Sequence, residues 1–178
     1  QNERNRQLTA AADLQARVSV THGTFEEVPF DDGLFDVVWS QDALLHGGDR
    51  RRALTEALRV LKPGGVLIFT DPMAADGAAT HELQGVLERL HLTSLGSFAW
   101  YRSTCLELGF GSTRAWELTP HMVRHYQRVR EELQGRRSEL YEVAGRAYVD
   151  RMLRGLEHWI SGGEQGRLAW GILRFVAP

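Results

Sequence analysis

The sequence predicts an α/β domain on an open, mostly parallel sheet, and three observations carry that prediction. Phe35-Asp36-Val37-Val38-Trp39 is a short apolar run, as in a strand buried on both faces. A stretch with apolar Ala53, Leu54, Ala57, Leu58 and Leu61 at helical spacing follows it. Pro63-Gly64-Gly65 then turns the chain into a second apolar run, Val66 to Thr70. Strand, helix, turn and strand make a βαβ unit, whose crossover is right-handed.

The elements follow in order. Asn2 to about Arg17 is polar with Leu8, Ala11, Ala12 and Leu14 on one side, a short amphipathic helix. Val18 and Val20 alternate with polar residues, a strand ending at His22-Gly23. Pro29, Asp31, Asp32 and Gly33 mark a turn. Asp49 is a candidate N-cap for the helix before Pro63. Glu82 to Leu90 and Ser97 to Leu108 read as helices, the second closed by Gly109. Thr113 to Leu118 reads as a strand. Helical sequence runs from Thr119 or Pro120 to about Ile160, breaks near Gly135, and ends at Ser161-Gly162-Gly163. Leu168 to Val176 is a last strand. The insertion at about 119–163 suits either a lid over a ligand site or a packing buttress. No repeat or low-complexity segment interrupts the pattern.

The chain has 178 residues, enough for one domain with a sizeable core. Hydrophobic residues are 43% and charged residues 25%, as in ordinary globular proteins. A net charge of -2, with acids balancing the arginines along the chain, argues against a nucleic-acid binder. Cys105 stands alone, which rules out a disulfide within the chain and fits a reducing cytoplasm. No apolar run approaches the roughly 20 residues of a membrane span. No metal is called for.

Ligands of an open parallel sheet lie at the carboxyl ends of its strands. Three such ends are readable: Gly23-Thr24-Phe25, then Ser40-Gln41-Asp42-Ala43-Leu44-Leu45-His46, then Thr70-Asp71-Pro72-Met73. Asp42 and His46 are four apart, so a helical turn puts both on one face. Ser40 or Asp42 can instead cap a helix. Asp71 either faces a pocket or caps the next helix.

The order of acidic loop, strand ending at a ligand, helix, LKPGG and strand between Gly23 and Pro72 resembles the middle of a methyltransferase that uses S-adenosylmethionine. VWSQDALLH, LKPGG and FTDPM, then LGSFAWYRS, HYQRVREEL and GLEHWISGGEQGRLAWG, resemble the sarcosine/dimethylglycine N-methyltransferases, which make glycine betaine. The resemblance covers essentially the whole chain, and the tail stretches are more specific than LKPGG. It implies a doubly wound, Rossmann-like sheet of class I. That family's glycine-rich cofactor loop is not found before Gly23, so the chain is expected to begin partway into the domain and to lack the first strands.

The resemblance also implies roles. Thr24 stands where the class usually has an acidic residue for the adenosine, and Phe25 covers the adenine or is simply core. SQDALLH is similar to the SRDTILH stretch of phosphoethanolamine methyltransferases. There, the residues matching Asp42 and His46 sit at the active site and those matching Ser40 and Gln41 beside the cofactor, with Gln41 replacing an Arg. An amine must lose its proton before it attacks a methyl sulfonium. His46 has the pKa range for a base, and Asp42 can orient it or grip the nitrogen. Arg102, beside Tyr101, is the candidate for a substrate carboxylate, or is a surface Arg. Trp39, Phe98, Trp100, Tyr101 and Tyr126 are candidates for a methylated ammonium. The expected partner is a small amino acid, with neither nucleic acid nor membrane, and homo-oligomers are possible. Two alternatives stand: another small-molecule methyltransferase, for phosphoethanolamine or a secondary metabolite, or an inactive fragment serving as an interaction module.

Overall fold

The computed structural model describes residues 2–178. Helix α1 (Asn2–Ala11) leads through an irregular segment to strand β1 (Phe35–Gln41). Then come α2 (Arg50–Val60), β2 (Leu61–Ala74), α3 (Gln84–Leu90), α4 (Phe98–Leu108) and β3 (Thr113–Glu117). Three helices follow, α5 (Thr119–Gly135), α6 (Arg137–Ala144) and α7 (Arg146–Glu164), before β4 (Leu168–Val176). The sheet order is β1-β2-β4-β3.

β1 and β2 pair in parallel, with Val37 to Gln41 opposite Val66 to Thr70. β4 is antiparallel to both β2 and β3. β1, β2 and β3 therefore point one way, and β4 alone runs against them. The helices α5 to α7 explain the reversal. They take the chain from the carboxyl end of β3 and return it to the same end of the sheet, where Leu168 pairs with Ala74. The insertion thus sits at the end where the parallel strands present their ligand positions.

The expected βαβ unit is present. The Asp49 side chain accepts from the Arg52 amide at 2.9 Å and caps α2, whose buried face is Ala53, Leu54, Ala57 and Val60. LKPGG differs from expectation. Leu61 already pairs with Phe35, and the next ladder pair is Val37 with Val66, so Lys62 to Gly65 bulge from the strand. Pro63 suits that bulge because it has no N–H to offer the ladder.

Other boundaries moved. Residues 18–22 form no strand. Among the described residues nothing pairs with them, Val18 is exposed, and only an isolated Thr24–Glu27 bridge follows. Period-two alternation cannot make a strand without a ladder partner. α1 stops at Ala11 rather than near Arg17. α7 runs through Ser161-Gly162-Gly163 to Glu164. Those glycines serve close packing rather than termination: a Cβ on Gly163 would lie 2.4 Å from Val123, and one on Gly162 2.6 Å from Leu168.

One core layer joins Leu54 of α2, Leu67 and Phe69 of β2, Tyr101 and Cys105 of α4, and Leu173 and Phe175 of β4. Burying each large side chain there contributes about 1.5–3 kcal/mol. A second cluster joins Val86 and Leu87 of α3, Met122 of α5, Trp159 of α7 and Leu168. It anchors the inserted helices to the ligand end of the sheet. Burial pushes the Cys105 thiol up to about 12, so it is an inert core residue. No described helix is long and apolar enough to cross a membrane.

Candidate active site

β1 ends at Gln41, and Asp42 turns the chain with φ of 48°, a left-handed conformation that Asp adopts more readily than most residues. Leu44–His46 then forms a single 3₁₀ turn with Leu44 and Leu45 buried. The expected α-helical turn across Asp42 and His46 is absent. Both residues nevertheless line one cavity of about 490 Å³. β1 supplies Gln41 to it, β2 Pro72, α5 His121, Met122, His125 and Tyr126, α7 Trp159, and β4 Trp170.

Asp42 Oδ1 accepts from Trp170 Nε1 at 2.8 Å. Tyr126 and Trp159 stack, with ring centroids 5.2 Å apart and planes 23° apart. Tyr126, Trp159 and Trp170 are thus aromatic walls beside a carboxylate and a histidine. Burial raises the Tyr126 hydroxyl pKa above its ordinary value, and the Asp42 carboxylate adds to the rise. Tyr126 is therefore a neutral hydroxyl at physiological pH. His121 and His125 are one helical turn apart on α5 and share the cavity face. No Arg or Lys lines this cavity among the described residues.

The backbone of this turn is held from below. The Asp42 amide donates to the Thr70 carbonyl at 2.9 Å, and the Leu45 amide to Asp71 Oδ1 at 3.2 Å. Asp71 is wholly buried, and its Oδ2 accepts from the Tyr101 hydroxyl at 2.6 Å. Burial pushes the Asp71 carboxyl up to about 7, against the lowering pull of those two bonds. Asp71 therefore neither lines the cavity nor caps the helix that follows it; it holds the Leu44–His46 turn instead.

The other expected residues are divided. Gln41 lines the cavity and also an adjoining apolar cleft of about 380 Å³ along β1, shared with Ser40 and Phe25. The Ser40 hydroxyl is buried with no hydrogen-bond partner among the described residues. Thr24 lies in a neighbouring cleft with Val28, Pro29 and Arg59, and its hydroxyl accepts from the Glu27 amide at 3.1 Å.

Tyr101 and Arg102 do not join the site. Tyr101 is sealed in the core, and Arg102 is exposed in a separate cleft with Asp76 and Ser103. Of the aromatics named from sequence for the ammonium, only Tyr126 lines the cavity. Trp39 is 66% exposed on the edge strand. Trp159 and Trp170 were missed, although both lie in the specific GLEHWISGGEQGRLAWG stretch. His121 and His125 were missed too; their i, i+4 spacing beside Tyr126 was the available signal. No cluster of three His, Cys, Asp or Glu side chains among the described residues could hold a metal ion.

A model of the methyltransferase domain matches residues 2–69. The sarcosine/dimethylglycine N-methyltransferase of Aphanothece halophytica is 47% identical over all of this chain, which spans 64% of that relative's length. The dimethylglycine N-methyltransferase of Parasynechococcus marenigrum is 46% identical, with the same share covered. A structure assigned as a sarcosine dimethylglycine methyltransferase from Galdieria sulphuraria superposes with a TM-score of 0.92 at 40% identity, over 98% of this chain and 64% of that one. A Haemonchus contortus phosphoethanolamine N-methyltransferase, at 19% identity and a TM-score of 0.77 over 86% of this chain and 36% of its own, shares the fold. With β1 ending at the Asp42–His46 turn, residues 2–69 match the methyltransferase domain family, and the similarity to these proteins runs along the whole of this chain and 64% of theirs.

Proposed function

We propose that the protein transfers a methyl group from S-adenosylmethionine to the nitrogen of sarcosine or dimethylglycine, ending in glycine betaine. The carrying observation is a cavity that joins Asp42 and His46 to three aromatic walls. A methylated amine needs a base while it is protonated and aromatic faces once it is a permanent cation. The relatives' names and the identity along the whole chain support the same substrate class.

The residues fit the methyl donor. Ser40 brings an unpartnered buried hydroxyl, Phe25 an apolar face, and Gln41 spans the cleft and the cavity. Bound there, the donor supplies an electrophilic methyl group on a sulfonium. His46 takes the proton from the substrate ammonium, and Asp42, fixed by the Trp170 N–H, holds the cationic nitrogen. The substrate carboxylate falls to His121 and His125 on α5, because Arg102 lies in another cleft. α5 and α7 roof the cavity, which supports reading residues 119–163 as a lid that excludes water.

A phosphate-bearing substrate is disfavoured by the lining, which among the described residues lacks the Arg or Lys that a dianion needs when desolvated. A methyl-transfer assay on the full-length protein with sarcosine, dimethylglycine and phosphoethanolamine side by side tests the reading. Transfer to the two amino acids alone is expected. Preferential methylation of phosphoethanolamine would refute it.

A further inference from the structure

We propose that Asp71 and Tyr101 form a buried positioning pair that locks the turn carrying Asp42 and His46, so that reaction geometry depends on two residues outside the cavity. The inference rests on the methyl-transfer reading above. Its geometry is a chain of contacts. Tyr101 sits in the first turn of α4, its amide bonded to the carbonyl of the N-cap residue Ser97. Its ring packs edge-on against Phe69 of β2, with centroids 5.0 Å apart. Gly96 is in van der Waals contact with the same ring; a Cβ there would lie 2.6 Å from it, so only glycine fits. The Gly96 carbonyl accepts from the Ala74 amide at 2.8 Å, which ties this corner to the end of β2.

From that fixed platform the Tyr101 hydroxyl reaches Asp71 Oδ2. Asp71 passes the constraint on through Oδ1, the acceptor for the Leu45 amide. Leu45 lies between Asp42 and His46 and is itself buried. Its amide bond to Asp71 crosses from β2 to the turn and complements the Asp42 amide bond to Thr70. Together these bonds leave the turn one way to sit. Neither Asp71 nor Tyr101 lines the cavity, so neither touches the substrate. Effective concentrations in enzyme sites are sensitive to position, and a displacement of about 1 Å can cost about 100-fold in rate. Loss of the Leu45 anchor is a route to such a displacement.

The test uses the full-length protein with Asp71→Leu, Asp71→Asn and Tyr101→Phe. Native-state hydrogen exchange reads the Leu45 amide, and steady-state kinetics, normalised to folded protein by donor-binding stoichiometry, read the consequence. Leu removes both acceptors. Asn keeps an oxygen for the Leu45 amide and a group for the Tyr101 hydroxyl. Phe removes the hydroxyl alone and changes nothing else in shape, so it carries the test if the Leu variant does not fold. Expected are a tenfold or greater loss of Leu45 protection and a fall in kcat of about 10- to 100-fold with KM changed little in the Leu variant. A smaller change of the same kind is expected in the Phe variant, and near-normal values in the Asn variant. Wild-type protection at Leu45 in both the Leu and Phe variants overturns the proposal, as does lost protection with kcat unchanged. If wild-type protein methylates neither amino acid, the substrate reading falls. Exchange at Leu45 then decides the lock by itself: lost protection upholds it and retained protection overturns it.

Discussion

Replacing Trp170 with Phe removes one N–H and leaves an aromatic wall in place. That N–H donates to Asp42 Oδ1 at 2.8 Å, across 128 residues of sequence. A hydrogen bond to a charged group contributes about 1.5–3 kcal/mol. If the bond fixes Asp42 for the transition state, its loss lowers kcat/KM for dimethylglycine by about 10- to 150-fold, at 1.36 kcal/mol per decade. Donor affinity should move by less than about threefold, because Trp170 lines the cavity and not the cleft of Ser40 and Phe25. The assay is steady-state methyl transfer, paired with calorimetric titration of the donor. A double-mutant cycle sharpens it. On an Asp42→Ala background the same Trp170 change should cost less than about threefold, since the acceptor is already gone. Equal losses in both backgrounds would show that Trp170 acts only as a wall, and wild-type rates would remove it from the chemistry altogether.

Three further outcomes follow from named contacts. His46→Ala should lower turnover by about 100- to 10,000-fold with donor binding nearly unchanged, read by single-turnover kinetics and titration; near-normal turnover would deny it the base's role. Arg102→Ala should leave the Michaelis constant for dimethylglycine unchanged, while His125→Ala raises it; the opposite pattern would return the substrate carboxylate to Arg102. Glu56 is 2% exposed and accepts from the Val28 amide at 3.0 Å and from both Arg59 Nε and Nη2. Glu56→Gln should cost about 2–3 kcal/mol and lower Tm by about 4–12 °C in a thermal melt. The Arg59 hydrogen bond, foremost, lowers the Glu56 pKa from 4.5 to about 2. Its contribution to stability is therefore present above pH 4.5 and is lost as pH falls toward 2, and the Gln variant should lack that part of the acid transition.

Local signals in the sequence resolved the elements whose stability is local or whose periodicity is long. Asp49 before an apolar-periodic run located α2, and the run from Leu168 to Val176 located β4 to the residue. The alternation at Val18 and Val20 misled because a strand is defined by its neighbour, which local pattern does not encode. Asp42 and His46 were legible as neighbours in one heptad, yet their geometry comes from a left-handed residue and a 3₁₀ turn rather than a helix. Arg102 was chosen for its place beside Tyr101. Adjacent helix residues point about 100° apart, and here one entered the core while the other met solvent. Trp159 and Trp170 reach the cavity only because the α5–α7 insertion returns the chain to the end of β2, a long-range event with no local signature.

The aromatic walls give the cavity its own optical reporter. Trp159 is 3% exposed and stacked on Tyr126, and Trp170 has its indole N–H engaged by a carboxylate. Trp39, Trp100 and Trp116 are exposed and open to aqueous quenchers. Iodide would silence those three and leave emission dominated by the two indoles at the cavity, whose colour and intensity respond to a cation laid against them. Occupancy by a quaternary ammonium can thus be followed in unlabelled protein, without a reaction taking place.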